Sequence, residues 1–218
     1  MKVVDLGRIG YAEAEALQME RLADVAVGGE ETLFLLEHDP VITLGRHAGR
    51  EHLHVSDDYL REAGITLARA ARGGDITCHF PGQLVAYPIV RLAHRPGGIR
   101  AMFHDLEEAA IKTLAHFAIA ATRDPDRPGV WVGPRKIASV GIGVRKWVSF
   151  HGIALNVGRD LSLFDCITLC GLADTHPTSI HIESGNDAVT MHEVKDVFAR
   201  AFQAVAHSAM AAHQAAAQ

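Results

Sequence analysis

The sequence predicts an α+β fold, a single domain built on a mixed β-sheet with flanking helices. Strand-like and helix-like segments are interspersed without the regular alternation that builds a doubly wound parallel sheet. No segment repeats at a fixed period. The 218 residues are 48% hydrophobic, enough for one substantial core, and no stretch has the composition of a linker, so residues 1–218 are expected to form one unit.

The elements follow from periodicity. Residues 11–27 read as an amphipathic helix, and Pro40 separates two apolar strands, Thr32 to Glu37 and Val41 to Leu44. Leu84 to Val90 reads as a buried strand. From Ile99, apolar residues at Met102, Leu106, Ala110, Leu114 and Phe117 recur at helical spacing. Ala138 to Val144 and Trp147 to Val157 read as two strands joined around Arg145-Lys146, a hairpin without an Asn-Gly turn. Thr190 and Glu193 have capping-box spacing, and Val194, Val197, Phe198, Ala201, Phe202 and Val205 extend a helical stripe beyond them. Residues 211–218 favour helix but carry little apolar bulk to dock it, so a frayed tail is expected.

A net charge of −5 argues against a nucleic-acid binder, whose affinity rests on basic residues facing phosphates. No apolar run reaches the ~18 residues of a membrane-spanning helix. The amino terminus lacks the charged-then-apolar pattern of a secretory signal, and Cys78, Cys166 and Cys170 cannot all pair with one another. A soluble protein of the reducing cytoplasm is expected.

Three motifs carry chemistry. The run Arg72-Gly73-Gly74-Asp75-Ile76-Thr77-Cys78-His79-Phe80-Pro81-Gly82 reads as a glycine-rich loop that lets backbone approach a ligand. It lacks the Gly-Lys-Ser/Thr ending of a phosphate-binding loop, so the glycines alone imply no nucleotide. Lys136 opens an apolar, glycine-punctuated strand that reads on through Ser139-Val140-Gly141. Cys170, followed by Gly171, is a glycine-flanked thiol able to serve as a nucleophile, and with Lys136 it points to a Cys/Lys acyl-transfer dyad.

These motifs, with His38-Asp39-Pro40-Val41-Ile42-Thr43-Leu44-Gly45-Arg46, His151-Gly152-Ile153-Ala154-Leu155-Asn156 and Cys170-Gly171-Leu172, make most of the chain resemble the lipoyl(octanoyl) transferases of lipoate biosynthesis. The resemblance implies the fold of the biotin and lipoate ligase catalytic domain. It implies transfer of octanoyl from acyl carrier protein, through a thioester on Cys170 tuned by Lys136, to a lysine of a lipoyl domain in the 2-oxoacid dehydrogenase complexes or of the glycine cleavage H protein. No cofactor, metal, nucleic acid or membrane partner is implied. Substrate contacts carry over to Arg72, Gly73, Gly74, Asp75, Ile76, Thr77, Cys78 and His79, to Ser139, Val140 and Gly141, and to Gly152, Ile153 and Ala154. The chain departs from the family pattern at Cys78, Phe80 and Leu169, and Phe80 is expected to line and narrow the acyl tunnel, with core packing as the alternative.

Other readings compete. Cysteine is usually a small buried hydrophobe and lysine a solvated charge. Cys166, Cys170, His176 and His181 have the chemistry of zinc ligands but not the tight spacing. His47, His52 and His54 fit a solvated loop. Gly45 to Arg50 bears a faint likeness to the glycine/arginine loop of ATP-dependent biotin ligases, which would not need Cys170. A noncatalytic carrier-binding module would need neither Cys170 nor Lys136. An acidic carrier would favour a basic patch, with Arg91, Arg95, Arg100, Arg145 and Lys146 as candidates.

Overall fold

A computed structural model describes residues 1–46, 48–93, 95, 97–168 and 175–216, with 209–216 by backbone alone. Along the chain run β1 (Lys2–Ile9), α1 (Tyr11–Ala26), β2 (Thr32–His38), β3 (Val41–Leu44), α2 (Asp57–Glu62), β4 (Thr66–Arg69), β5 (Ile76–His79) and β6 (Gln83–Ile89). There follow α3 (Gly98–His116), β7 (Thr122–Arg123), β8 (Val130–Val132), β9 (Arg135–Arg145), β10 (Val148–Asn156), a 3-10 turn (Ser162–Cys166), α4 (Ile180–Ser184) and α5 (Met191–Ala216). Seven strands form one sheet in the order β1-β2-β6-β10-β9-β8-β7, and three form a second in the order β4-β3-β5. Both are mixed: β1 runs parallel to β2 and β3 parallel to β4, and the other pairings are antiparallel.

The central strands are apolar on both sides because both faces of the large sheet are covered. On β2, Leu33 and Leu35 face one core while Phe34 and Leu36 face another. On β6, Leu84 and Ala86 share the first core and Val85, Tyr87 and Ile89 the second. The first is closed by α3, through Met102, Leu106 and Leu114, and by α5, through Val194, Phe198 and Phe202. The second is closed by α1, through Ala14, Leu22 and Val25. Each of the Val, Leu, Ile, Phe and Met side chains among them contributes about 1.5–3 kcal/mol relative to exposure. A third core lies under the small sheet, where Ile42, Leu44, Ile76 and Cys78 meet Phe80, Phe164 and Cys166.

The mixed sheet with flanking helices is the predicted architecture. The helix read from residue 11 ends at Ala26, β3 has the predicted bounds, and Thr190 Oγ1 accepts from the Glu193 N–H at 3.2 Å to cap α5. That helix is described to Ala216; residues 217 and 218 lie outside the described residues. The hairpin turn falls one residue later than expected. Arg145 pairs with Val148, and Lys146 and Trp147 between them hold φ of 51° and 60°, the doubly left-handed turn that suits strand twist and usually selects Asn-Gly. The Arg72 to Gly82 run is not a simple loop, since Ile76–His79 is a strand of the small sheet.

The basic candidates for a carrier patch are dispersed. Arg95 is paired with Asp105 in the interior, and the Arg91 guanidinium donates to the Val25 carbonyl at the end of α1. Arg145 and Lys146 are exposed, but Arg145 lies nine residues beyond Lys136 on β9, about 30 Å at the rise of a strand.

Candidate active site

A cleft opens where the small sheet meets the α1 side of the large one. It is lined by Arg72, Gly74, Asp75, Ile76, Thr77 and His79 from the small-sheet side, Val85 and Tyr87 from β6, Ser139, Val140 and Gly141 from β9, His151, Gly152, Ile153 and Ala154 from β10, and Tyr11 from α1. Three motifs far apart in sequence converge because β9 and β10 pair in register, Gly141 opposite Gly152 and Ser139 opposite Ala154. Gly152 is needed for close approach, and Gly141 leaves room for the Arg72 side chain. A Cβ on Gly152 would lie 2.2 Å from the Ala86 carbonyl oxygen, and one on Gly141 would lie 3.0 Å from Arg72 Cδ.

Arg72 holds the rim of this cleft together. Its guanidinium is buried and donates to Thr43 O at 2.9 Å, Thr43 Oγ1 at 2.8 Å, Asp75 O at 2.8 Å and Gly73 O at 3.1 Å. The planar fork bridges β3 and its own loop, which an ammonium could not do as well. Gly73, behind the lining, docks the loop on the large sheet by donating its N–H to Ile142 O at 3.1 Å. Cys78 does not reach the cleft; strand alternation turns it into the small-sheet core, while Thr77 and His79 face the cleft. Phe80 also packs in that core, edge-on to Phe164 at 5.5 Å between ring centroids, and is not among the cleft-lining residues. Of the two expectations for Phe80, the structure favours core packing; the ring borders a separate cavity with Pro81 and Cys166 and not this cleft.

Lys136 is 3% exposed and lies outside the lining. Its backbone is gripped on both sides, the N–H donating to His176 O and the carbonyl accepting from the Thr178 N–H, each at 2.9 Å. Its Nζ stands 5.3 Å from the centre of the Trp131 ring, and Arg127 lies over the same ring at 4.1 Å. A buried polar chain joins this strand to the cleft. His79 Nδ1 meets Gln83 Oε1 at 2.7 Å, Gln83 Nε2 donates to Asn156 Oδ1 at 2.9 Å, and Asn156 Nδ2 donates to Thr178 O at 2.9 Å. Cys170 and Leu169 lie outside the described residues. Just before them, Thr168 donates its N–H to His52 O at 2.9 Å and its hydroxyl meets His54 Nε2 at 2.8 Å. His52 in turn contacts Asp75 of the cleft at 2.5 Å, so His52 and His54 tie a loop rather than face solvent alone. Among the described residues, no three His, Cys, Asp or Glu side chains are grouped to hold a metal.

Two histidines of the cleft wall, His79 and His151, and the fully buried His38 packed against His79 are all held toward the neutral form. Burial, the Arg72 charge and His38 depress His151 to about 3. Burial first, then His38, Arg72 and His151, hold His79 well below the ordinary imidazole value. Burial also lowers His38, whose Nδ1 donates to Ile9 O at 3.0 Å and whose Nε2 accepts from the Tyr87 hydroxyl at 2.9 Å. Tyr11 and Tyr87 are both raised by burial, so both keep their protons. The neutral wall suits an uncharged ligand, with Arg72 the buried cation beside it.

Tyr11, Val85 and Tyr87 escaped the sequence reading, and His151 entered it only as the first residue of a family motif. Val85 and Tyr87 carried a partial signal, since they share one face of the strand read from Leu84 to Val90, although its near-continuous apolar run does not say which face meets a ligand. Tyr11 carried none, because its place depends on how α1 lies across β10.

Residues 10–203 match the family model described as the lipoyl protein ligase A/B catalytic domain. An octanoyltransferase from Nitratidesulfovibrio vulgaris (strain Miyazaki F) is 63% identical over 217 residues, covering 99% of this chain and 100% of the relative. One from Maridesulfovibrio salexigens is 51% identical over 203 residues, 93% of this chain and 94% of the relative. Among solved structures, the bipartite lipoate protein ligase of Thermoplasma acidophilum, studied with its E2 lipoyl domain, superposes with a TM-score of 0.71 at 22% identity, over 94% of this chain and 83% of that one. The biotin protein ligase of Leishmania major superposes with a TM-score of 0.54 at 12% identity, over 94% of this chain and 75% of that one. At these identities the structural likeness concerns the fold alone.

Proposed function

Because this chain belongs to the octanoyltransferases of the lipoyl protein ligase A/B catalytic-domain family, we propose that it moves octanoyl from acyl carrier protein to a lysine of a lipoyl domain through a thioester on Cys170. The observation that carries the reading is the convergence of the Arg72–His79, Ser139–Gly141 and Gly152–Ala154 segments on one cleft, tied by His79, Gln83, Asn156 and Thr178 to the strand of a buried lysine.

In the first step the Cys170 thiolate attacks the thioester carbonyl. A carbon–sulfur bond forms to Cys170, the bond to the carrier breaks, and the carrier thiol leaves with the proton taken from Cys170. Exchange of thioester for thioester keeps the acyl group activated. In the second step the neutral lysine amine attacks the thioester carbonyl, the carbon–nitrogen bond of the amide forms as the carbon–sulfur bond to Cys170 breaks, and the amine's proton passes to the cysteine sulfur. Lys136 serves as the proton carrier or as the charge that stabilises the thiolate. Arg72 to His79 shape and hold the acyl cleft, and burying about six methylenes contributes on the order of 5 kcal/mol. The H protein is a second acceptor of the same kind. The reaction belongs to the cytoplasm, where a chain with a cysteine nucleophile stays reduced; no helix of the described residues is long and apolar enough to cross a membrane.

Intact-mass measurement after incubation with octanoyl-carrier and no ATP tests this. One octanoyl group should add to the protein, leave on addition of a lipoyl domain, and fail to add to Cys170→Ala of unchanged thermal stability. Undiminished transfer by that variant, or a requirement for ATP, would overturn the mechanism.

A further inference from the structure

The inner end of the cleft is polar where an alkyl chain would end. Most of its polar side chains are satisfied: Tyr87 with His38, and His79 with Gln83. Tyr11 and His151 are not. Their rings lie 6.4 Å apart and within 9° of parallel, they are 7% and 2% exposed, and Tyr11 Oη and His151 Nε2 find no hydrogen-bond partner among the described residues. Native proteins rarely leave such atoms unpaired, and those that remain call for a ligand or a mechanism.

His151 is also held in a conformation it would not choose. Its φ of 55° is left-handed in the middle of β10, and its backbone N–H donates instead to Gln18 Oε1 at 2.7 Å. Backbone strain of this kind persists where the surroundings over-determine it and concentrates at ligand sites. Here it fixes the imidazole beside Tyr11.

The direction of the cleft follows from β10. His151 lies three residues before Ala154, the last cleft-lining residue of β10, about 10 Å at the rise of a strand, and Asn156 just beyond reaches the Lys136 backbone through Thr178. With the reacting thioester beside Lys136, the far end of the acyl chain points toward Tyr11 and His151. We infer that this inner end is a subsite for a small hydrogen-bonding group at the distal end of the acyl chain, such as a hydroxyl, paired to the Tyr11 O–H and His151 Nε2. The inference rests on the octanoyl-transfer reading above.

Donors matched in size test it. 8-Hydroxyoctanoyl and nonanoyl chains have the same number of heavy atoms and differ by a hydroxyl in place of a methyl. On acyl carrier protein, the wild-type kcat/KM should favour 8-hydroxyoctanoyl over nonanoyl by about tenfold, because the site's polar atoms stay unpaired with the alkyl chain. Tyr11→Phe should bring that ratio to within about twofold. A wild-type preference for nonanoyl, or an unchanged ratio in a folded Tyr11→Phe protein, would overturn the inference while octanoyl transfer itself stands. Absence of octanoyl transfer by the wild type would sink both.

Discussion

Gly129 stands against the Lys136 side chain: a Cβ on Gly129 would lie 2.7 Å from Lys136 Cε and 3.3 Å from Nζ. The glycine is also held at φ of 123°, and the same Cβ would lie 2.4 Å from the Ala138 carbonyl oxygen. Its lack of a side chain leaves the lysine its room. Gly129→Ala should lower stability by about 1–3 kcal/mol through strain and slow octanoyl transfer at least tenfold. Gly133→Ala is the control, since Gly133 has φ of 56° but nothing within 4 Å of its Cβ. It should cost about 1 kcal/mol and leave transfer intact. Alkylation of Cys170 against pH is the discriminating measurement; equal profiles for the two variants would separate Gly129 from Lys136.

Arg72 should prove irreplaceable by lysine. Arg72→Ala strands Thr43 and Asp75 acceptors in the interior and should cost about 2–4 kcal/mol. Arg72→Lys, keeping charge but losing the fork, should recover less than half. Urea unfolding of the three proteins checks this, and full recovery by lysine would show that charge alone matters.

Acid should destabilise the fold through its buried imidazoles. His38, His79 and His151 are all depressed in the folded protein, so between the ordinary value of 6.5 and the folded value, about 3 for His151, the unfolded chain binds more protons. Their contribution is complete above pH 6.5 and lost as pH falls below it. At pH 5.5 the loss is about 1 kcal/mol for each fully depressed histidine. Unfolding midpoints at pH 7.5 and 5.5 should differ less in His79→Gln than in the wild type; equal differences would exclude His79 as a source.

Phe80→Ala should act on stability and not on chain length. With its ring edge-on to Phe164 and 6% exposed, truncation should cost about 3–5 kcal/mol. The relative kcat/KM of six-, eight-, ten- and twelve-carbon donors should stay as in the wild type. A shift toward longer chains would return Phe80 to the acyl site.

What the sequence made legible was the buried frame. β2, β6, β9 and β10 are recognisable because burial on both faces leaves near-continuous apolar runs, and α5 because Val194, Phe198 and Phe202 keep helical spacing. The edge strand β1 was invisible, since Asp5 and Arg8 interrupt a half-exposed run that pairs only with β2. β5 hid inside a glycine-rich motif although Ile76 and Cys78 alternate with Thr77 and His79. α2 had its signal too, a Ser56 cap followed by Asp57 and Asp58. Of the site, the motif-borne segments were readable as expectations, whereas Tyr11 and the His38–Tyr87 pair depend on packing between elements, which no local pattern encodes.

The facing glycines Gly141 and Gly152 restrict how this catalyst can diversify. Any side chain at Gly152 collides with the β6 backbone, and one at Gly141 presses on Arg72. Drift is closed at Gly152 and constrained at Gly141, so, on the octanoyl-transfer reading, inherited changes in acyl preference enter chiefly through the walls, at Tyr11, Val85, Tyr87 or Val140. A lineage can therefore exchange one acyl group for another by single substitutions in α1 or β6 while the β9–β10 strip passes down unaltered.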